Sequence, residues 1–406
     1  MHSTLSSTLN SIESLNKNGP KKEFRIGMVT HYMPPHIGGI ELLAESLFHR
    51  YRAAGCEVQW IASRVPSGAT RREDGRIRAR CLNLTEQWLS VPWPVWGPGG
   101  LRELARLIKW SDVIHIHDCL YFGSAAAVAL ARLARKPLIL SQHIGFGVYS
   151  SAILNLIETI AYKTLGRAVL RNASRLVFCT PAAEEYITAL LENRSPEVCK
   201  IPYGIDTDRF RPAILSERAE ARRQLDVPDT KPVALFVGRL MEKKGASIFL
   251  EVSRMMTDYH FLVVGDGMIR PHSADNLTWI PYVEPQRMEA VYRAADAFLL
   301  PSYSEGFPFS VIEAMASGVP VIVPAGEAYT ALLDREGAGI VTDRTPASLC
   351  QSLDRLKETP DFAKDMTARA RALVVENWSL DVMCERYLSL IEELTGKLSP
   401  SEAQYT

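Results

Sequence analysis

The sequence of 406 residues lacks the patterns that mark several large classes of protein. Its seven cysteines are scattered and form no C-x-x-C pair, so zinc and dithiol redox motifs are absent. No G-x-G-x-x-G fingerprint follows the first strand candidate, which weakens a dehydrogenase interpretation. No run approaches the roughly 18 apolar residues that a membrane span needs. Lys and Arg together number 46, as do Asp and Glu, and this balance argues against general nucleic-acid binding.

The same absences indicate a cellular compartment. Residues 1–22 have no apolar core, so we predict a disordered tail there and not a signal peptide. An odd, dispersed set of cysteines is typical of reduced thiols in a cytosol. We therefore expect a cytoplasmic protein, with any membrane contact peripheral and at the inner face.

Strand and helix patterns alternate along the chain, which is typical of parallel α/β sheets with crossover helices. We predict one Rossmann-like domain over 23–212, a second over 213–378 and a C-terminal helical segment over 379–406, with the linker within Asp206–Thr230. Residues 23–212 carry 23 Lys and Arg against 17 Asp and Glu, so we expect the first domain to face something anionic. The strand candidates, in chain order, are Arg25–Thr30, Val58–Ala62, Val113–His117, Leu138–Ser141, Leu176–Cys179, Lys200–Pro202, Val233–Val237, Phe261–Val264, Thr278–Ile280, Ala297–Leu300 and Val319–Val323.

The most informative stretch is Pro301–Gly318, PSYSEGFPFSVIEAMASG. A buried strand is predicted before it, and a short helix, about Phe309–Ser317, within it. A loop between strand and helix points free N–H groups and the positive helix end at one place, which suits a phosphate. Pro308 has no N–H. The remaining candidate donors are the backbone N–H groups of Gly306, Phe307, Phe309 and Ser310.

Two glutamates flank this predicted phosphate site. Carboxylates in contact with a phosphate would repel it, so Glu305 and Glu313 are better suited to bind hydroxyls on either side of it. A phosphate between two hydroxyl-bearing groups describes a nucleotide sugar. The alternative is a plain strand–helix turn with two solvated glutamates.

A second glycine-rich loop carries positive charge. Gly238 and Arg239 follow a predicted strand, and Lys244 and Gly245 precede a helix. Two cations in such a loop fit a diphosphate clamp, although a solvated basic loop is the alternative. We expect the neighbouring Lys243 to point elsewhere.

Histidines follow two strands of the first domain. His115 and His117 share one strand face, which favours a structural or cleft-wall role over a metal pair, because no third ligand is nearby. Asp118 follows them and is a candidate acceptor contact. His143 comes directly after another strand, where an α/β cleft opens, with a core histidine as the alternative.

The segment EGFPFSVIEAMASGVPVI resembles the E-x7-E signature of retaining glycosyltransferases of family 4. The resemblance extends from about Phe24 to the C-terminal helix. It implies a GT-B fold, with two Rossmann-like domains facing a central cleft and the last helix crossing back onto the first domain. The first domain would be the acceptor side, and the second would bind the nucleotide sugar.

Family resemblance also implies roles for particular residues. Gly38 and Gly39 resemble a G-G-x-E loop that approaches the donor phosphate and sugar, and His143 matches a histidine that hydrogen-bonds the transferred sugar. Arg239 and Lys244 match a G-R-x4-K-G motif. Other donor-binding positions implied by the resemblance are Gly238, Asp266 of a V-G-D-G motif, Val283 of the segment whose backbone reads the base, and Glu313 at the ribose.

The implied reaction moves a sugar from a nucleoside diphosphate sugar to a hydroxyl acceptor with retention of configuration. Glu305 would hold the sugar hydroxyls, while the leaving phosphate would take the acceptor proton. No cofactor or metal is implied, since the cations neutralise the diphosphate and no D-x-D stands on a suitable loop. Alternatives are a GT-B-fold epimerase or phosphorylase and a non-catalytic nucleotide-sugar-binding protein.

The acceptor is predicted only in outline. Family analogy points to a sugar or lipid-linked sugar in surface polysaccharide, lipopolysaccharide or glycolipid biosynthesis. Trp93 and Trp96 lie in an aromatic loop suited to an acceptor or a membrane interface. Residues 152–171 predict a helix with two stripes, one basic and able to contact an anionic membrane, the other buried. The basic stripe is Lys163, Arg167 and Arg171, and the buried stripe is Ile153, Ile157, Ile160, Ala161, Leu165 and Ala168.

Overall fold

The computed structural model describes residues 24–36, 38–64, 71–83, 93–143, 152–192, 195–303 and 307–396. The chain divides into two compact units. One comprises Met1–Tyr203 with Met383–Thr406, and the other comprises Gly204–Val382. Each unit has its own apolar core, built on a parallel sheet.

The first unit contains an eight-stranded sheet with the order β10-β9-β8-β7-β1-β2-β4-β3 among the described residues. All neighbours pair in parallel except β3 and β4. Two further short strands, β5 and β6, pair with each other. The strands are β1 Arg25–Val29, β2 Glu57–Ser63, β3 Arg71–Glu73, β4 Arg76–Ala79, β5 Cys81–Leu82, β6 Val95–Trp96, β7 Val113–His117, β8 Leu138–Gln142, β9 Arg175–Phe178 and β10 Glu197–Lys200.

The second unit contains a six-stranded parallel sheet with the order β13-β12-β11-β14-β15-β16 among the described residues. Its strands are β11 Val233–Val237, β12 His260–Val264, β13 Leu277–Ile280, β14 Ala297–Leu299, β15 Val321–Pro324 and β16 Ile340–Thr342. The described α-helices of the chain, α1 to α14, are Gly39–Ala53, Pro98–Trp110, Phe122–Leu133, Ala152–Ala161, Arg167–Leu170, Pro181–Leu191, Leu215–Gln224, Ala246–Met255, Met288–Arg293, Phe309–Ala316, Ala328–Arg335, Pro346–Glu358, Pro360–Trp378 and Leu380–Thr395.

Both sheets reverse their strand order once. In the first sheet the chain runs outward from β1 in one direction and returns to start again at β7. In the second sheet the same reversal separates β11 from β14. Ligands of doubly wound sheets bind at the carboxyl ends of the strands on either side of such a switch. The two switch points therefore define where functional residues are expected.

The predicted linker is wrong in one respect, because it contains the helix Leu215–Gln224. This helix has little apolar surface and is held by charge instead. Arg222 donates to the Asp296 carboxylate at 2.5 Å, and Arg218 pairs with the same carboxylate at 2.8 Å. These ion pairs fix the helix within the second unit.

The helix predicted over 152–171 is present over 152–170, but its predicted buried stripe is wrong. A π-helical turn, Tyr162–Gly166, interrupts it and shifts the register of the residues that follow. Ile157 and Ile160, predicted to be buried, are 54% and 53% exposed. The helix therefore presents apolar side chains to solvent at the position where a buried stripe was expected.

The last helix, Leu380–Thr395, packs on the sheet of the first unit, as predicted. Its Tyr387 is fully buried, and the phenol shares a 2.7 Å hydrogen bond with the Ser141 hydroxyl on β8. Glu393, farther along the helix, forms an ion pair with Arg175 on β9. Burial of the aromatic ring supplies most of the attraction, and the two polar contacts fix the register.

The loops after β11 and β12 approach so closely that one position accepts only glycine. Gly265 has φ +133°, and a Cβ there would lie 2.0 Å from the carbonyl oxygen of Gly238. We predict that Gly265→Ala lowers the free energy of unfolding by on the order of 3 kcal/mol, because backbone strain adds to a steric clash. Chemical denaturation followed by circular dichroism measures this loss.

The matched control is Gly39→Ala. A Cβ at Gly39 meets nothing within 4 Å, so its stability is expected to stay within about 0.5 kcal/mol of the wild type. Equal stability of both variants would contradict the close approach of the two loops.

Candidate functional site

The basic loop of the second unit follows β11 at the switch point. Backbone bonds join it to the loop after β12: the Gly238 N–H donates to the Val264 carbonyl and the Leu240 N–H to the Asp266 carbonyl, both at 3.0 Å. Arg239 is exposed between them, and Lys244 is half-buried at the end of a short 3₁₀ turn, Glu242–Lys244. The loop is therefore rigid in its backbone, and the Arg239 side chain is accessible to a ligand.

This loop is joined directly to the segment that follows β14. The Tyr303 N–H donates to the Lys243 carbonyl at 2.7 Å. Gly245 has φ +72°, and a Cβ there would lie 2.1 Å from the Pro301 carbonyl oxygen. Pro301–Tyr303 leads toward Glu305 and Gly306, which lie outside the described residues. The structure thus brings the predicted diphosphate clamp and the entrance of the predicted E-x7-E segment together.

The described residues after Gly306 form an anchored helix start. The Phe307 ring stacks on Tyr329 at 5.2 Å and meets Trp378 edge-on at 4.7 Å. The helix α10 begins at Phe309, and Pro308 caps it with its carbonyl, which accepts from the Val311 N–H at 3.1 Å. The Ser310 N–H, one residue before Val311, has no acceptor within the helix. Phe309 and Ser310 are two of the four predicted phosphate donors, and their contact with a phosphate stays a prediction.

Glu313 lies one turn into the same helix and is largely buried. The phenol of Tyr292, a fully buried side chain of α9, donates to its carboxylate at 2.6 Å. Burial raises the pKa of Glu313 from 4.5 to about 7, and the Tyr292 hydrogen bond and the Arg209 charge offset part of this increase. The carboxylate accepts from Tyr292, and its contact with ribose hydroxyls stays a prediction.

Arg209, whose charge lowers the Glu313 pKa, is bonded beside the predicted base-reading segment. Its guanidinium donates to Glu289 at 2.8 and 2.9 Å and to the Pro285 carbonyl. Pro285 lies two residues after Val283, which is partly buried against the core of the second unit. Arg209, Glu289 and Tyr292 gave no motif in the sequence, because their partners are distant in the chain.

Asp266, predicted to contact the donor, is exposed and makes an ion pair of 2.6 Å with Arg270. Its carboxylate also accepts from the Gly267 N–H at 2.8 Å. Both contacts orient the turn after β12. Whether Asp266 also contacts the donor stays a prediction.

Arg344 is a further residue that sequence reasoning missed. Its guanidinium donates to the Ser302 carbonyl at 2.9 Å, lies 4.2 Å from the centre of the Tyr303 ring, and donates to Glu327 at 3.3 Å. It therefore fixes the segment after β14 from the side opposite the basic loop. No local pattern marks Arg344, since it follows β16 at the far edge of the sheet.

The histidines of the first unit lie on β7, which borders the other switch point, and directly after its neighbour β8. His115 and His117 lie on one face of β7 as predicted, with ring centroids 4.4 Å apart. His143, directly after β8, donates its backbone N–H to the Asp118 carboxylate at 2.9 Å. Burial lowers the pKa of both His115 and His143 to about 3, so each ring is neutral at physiological pH.

Asp118 is held in an unusual backbone conformation. It has φ +63°, which a residue other than glycine adopts at a cost, and it is 3% exposed. Residues strained in this way cluster at functional sites. Because its carboxylate orients the backbone of His143, Asp118 supports that histidine; an acceptor contact stays a prediction.

The glycine loop after β1 ends in the helix Gly39–Ala53, whose N-cap is Gly38. The Glu41 carboxylate folds over this glycine, so that a Cβ at Gly38 would lie 2.2 Å from Glu41 Oε2. His36 lies 3.4 Å from the other carboxylate oxygen. Glycine at position 38 therefore leaves room for the buried Glu41 carboxylate to pack against the helix N-terminus.

The two predicted aromatic acceptor contacts differ. Trp93 is 39% exposed and accessible to a ligand. Trp96 is 4% exposed, and its indole N–H donates to the Ser63 hydroxyl at 2.8 Å. A core position with a satisfied N–H corrects the prediction for Trp96, which is a packing residue.

The basic stripe is likewise engaged within the protein. The Arg167 guanidinium donates to the Leu190 carbonyl at 2.7 Å, and Arg171 donates to the Leu191 carbonyl at 3.3 Å. These bonds satisfy carbonyl groups at the end of the helix Pro181–Leu191. Lys163 remains exposed.

The described ranges contain no group of three or more His, Cys, Asp or Glu side chains placed to hold a metal ion. No helix within those ranges combines the length and the apolar character that crossing a membrane requires.

Comparison with known proteins agrees with this arrangement. Residues 38–204 match the glycosyl transferase 4-like domain, and residues 217–373 match the glycosyl transferases group 1. The D-inositol 3-phosphate glycosyltransferase of Corynebacterium kroppenstedtii is 29% identical over 377 residues, covering 82% of each chain.

Solved structures share the fold. Sucrose-phosphate synthase from Thermosynechococcus elongatus has a TM-score of 0.64 at 19% identity and covers 92% of this chain and 100% of that chain. Anabaena Alr3699/HepE in complex with UDP-glucose has a TM-score of 0.62 at 15% identity, with coverages of 92% and 100%.

Two Rossmann-like units with doubly wound sheets have the GT-B fold, and the matched domains make the chain a glycosyltransferase. Within that class, the chain belongs to the glycosyl transferases group 1, with a 4-like domain in its first half.

The raised pKa of Glu313 predicts a pH-dependent stability. Between pH 4.5 and about 7 the folded protein binds a proton that the unfolded chain has released, so the free energy of unfolding falls as the pH rises through this window. Glu313→Gln removes the carboxylate, and its stability relative to the wild type is expected to rise by on the order of 3 kcal/mol across the window. Urea denaturation at several pH values measures the difference.

A second variant tests the cause of the shift. Tyr292→Phe removes a hydrogen bond that lowers the Glu313 pKa, so the upper end of the window is expected to move above pH 7. If the free energies of unfolding of wild type and Glu313→Gln changed equally with pH, the raised pKa of Glu313 would be contradicted.

Proposed function

We propose that this protein transfers a glycosyl group from a nucleoside diphosphate sugar to a hydroxyl acceptor, with retention of anomeric configuration and without a metal ion. One observation carries the proposal. The basic loop with Arg239 and Lys244 is joined by the Lys243–Tyr303 hydrogen bond to the segment that leads to Glu305. This bond supports a diphosphate clamp and a sugar-binding segment that lie side by side at one switch point of the second unit.

The leaving diphosphate carries the negative charge that develops as the glycosidic bond breaks. Arg239 and Lys244 are placed to stabilise it, together with backbone N–H groups at the start of α10. The two cations neutralise the charge of the diphosphate, as a divalent ion does in other transferases. The leaving phosphate takes the acceptor proton on the same face of the sugar, which accounts for retention.

The remaining contacts orient the donor. Glu313 accepts hydrogen bonds from the ribose, while Glu305 holds hydroxyls of the transferred sugar. His143, neutral because it is buried, orients that sugar without adding charge. Gly38 and Gly39 allow the backbone at the N-terminus of α1 to approach the donor closely.

Removal of either clamp cation should nearly abolish turnover. Arg239→Ala and Lys244→Ala are each expected to reduce turnover by about a hundredfold, the usual effect of losing an electrostatic contact to a developing charge. Lys243→Ala is the matched control with a much smaller effect, because Lys243 contacts Tyr303 through its backbone carbonyl. Release of nucleoside diphosphate from the donor measures turnover.

The donor for this assay is chosen by thermal shift with UDP, GDP, ADP and TDP, since the diphosphate that binds raises the melting temperature. Comparable losses in all three lysine and arginine variants, or near wild-type turnover of folded Arg239→Ala, would contradict the clamp.

The acceptor side is assigned to the first unit. Trp93 and Asp118 are the candidate contacts, and a lipid-linked sugar of surface polysaccharide or glycolipid biosynthesis is the acceptor class. The exposed apolar side chains of α4 support such an acceptor. Leu156, Ile157 and Ile160 are each more than half exposed, and Lys163 follows them on the exposed surface. An apolar face beside a cation suits the surface of an anionic bilayer.

Replacement of Leu156, Ile157 and Ile160 together by Ser is therefore expected to reduce co-sedimentation with vesicles of anionic phospholipid. Leu133→Ser is the matched control, because Leu133 is 82% exposed on a different helix. High salt should weaken wild-type binding by screening. Wild-type protein that stays in the supernatant at low salt would contradict membrane contact and leave the donor site unaffected.

A further inference from the structure

Each ring nitrogen of His143 shares a hydrogen bond with one neighbouring side chain. Its Nε2 shares a 2.8 Å hydrogen bond with His117 Nδ1, and its Nδ1 shares a 3.1 Å hydrogen bond with the Tyr203 phenol. The three rings are nearly parallel, at 5° and 17°. A neutral imidazole has one donor and one acceptor nitrogen, so a sugar hydroxyl can bond to His143 only by replacing one partner.

The two partners differ in how readily they can leave. His117 is fully buried on β7, in the middle of the sheet, and the shorter bond joins it to His143. Tyr203 is partly exposed, follows the edge strand β10, and is the last residue of the first unit before Gly204 opens the second. Tyr203 is therefore the partner that a ligand can displace.

We propose that His117 and Tyr203 are positioning residues for His143. The Tyr203 phenol occupies the ring nitrogen that receives a hydroxyl of the donor sugar, and His117 keeps the other nitrogen fixed throughout. This inference rests on the proposed function, which assigns His143 to the sugar. The His143 ring keeps its tautomer when a sugar hydroxyl replaces the Tyr203 phenol, because both hydroxyl groups can donate or accept a hydrogen bond.

The bond to His143 is the one side-chain hydrogen bond of His117 within the described residues, where His117 Nε2 has no partner. Replacing His117 therefore removes a hydrogen bond from His143 and from no other described side chain, and it also removes the ring contact with His115. His115 provides a matched control on the same strand face. It is equally buried, but its nitrogens bond Tyr51 and Ser141.

The first measurement needs no ligand. Long-range ¹H–¹⁵N spectra of the histidine rings report the hydrogen bonds of His143 directly. The His143 ring signals are expected to move in Tyr203→Phe and His117→Leu, and to stay in place in His115→Leu. Signals that stay in place in both of the first two variants would overturn the proposal, whichever donor the enzyme uses.

The second measurement compares binding of matched pairs by calorimetry, UDP-glucose with UDP, GDP-mannose with GDP and ADP-glucose with ADP. Tyr203→Phe removes the competing phenol, so the sugar nucleotide is expected to bind about two- to tenfold more tightly while the bare diphosphate is unchanged. His117→Leu should weaken the sugar nucleotide selectively. His117→Asn should restore it, because the amide replaces Nδ1.

Equal changes for sugar nucleotide and bare diphosphate would overturn the proposal, since a packing role affects both alike. A wild-type protein that binds none of the three pairs would instead contradict the proposed function. The ring spectra distinguish these failures, because they test the ligand-free bonds by themselves.

Discussion

The candidate donor site depends on one backbone constraint in the second unit. The loop after β11 and the segment after β14 meet at the switch point of the sheet, and only glycine at position 245 permits the approach to Pro301. The Lys243–Tyr303 hydrogen bond then fixes the register of the two segments. Arg344 supports the second segment from the other side. The clamp cations and the segment that leads to Glu305 are neighbours because of this packing.

The two units differ in the electrostatics of their sites. In the second unit Arg239 is exposed, and Glu313 is largely buried with its pKa raised to about 7. In the first unit buried imidazoles and phenols form neutral networks, which suit a sugar. Net charge over each half of the sequence does not show where the charged loops lie. The second half is acidic overall, yet it contains the basic loop.

Sequence reasoning was most accurate where the signal is local. Buried strands such as Val113–His117 and Val233–Val237 are runs of apolar and β-branched residues with turn residues after them, and their bounds agree with the structure. The shared face of His115 and His117 follows from the two-residue period of a strand. Short, polar strands such as Arg71–Glu73 were missed because they have no such run.

Contacts between distant residues were beyond reach of the sequence. Tyr292, Arg209, Arg344 and Tyr203 act through partners far along the chain, so no spacing identifies them. The buried side of the helix over 152–171 was misjudged for a related reason. Its apolar spacing was real, but a π-helical turn and the Arg167 contact with Leu190 decide which side is buried.

Retaining transfer without a metal is the central claim of this account, and time-resolved proton NMR in excess EDTA tests it most directly. A panel of α-linked nucleotide sugars is incubated with the protein and an extract of bacterial lipids and polysaccharides. The account predicts loss of one donor's anomeric signal and first appearance of an α-anomeric product together with free nucleoside diphosphate. A β-anomer as first product, or transfer that requires added magnesium or manganese, would contradict it.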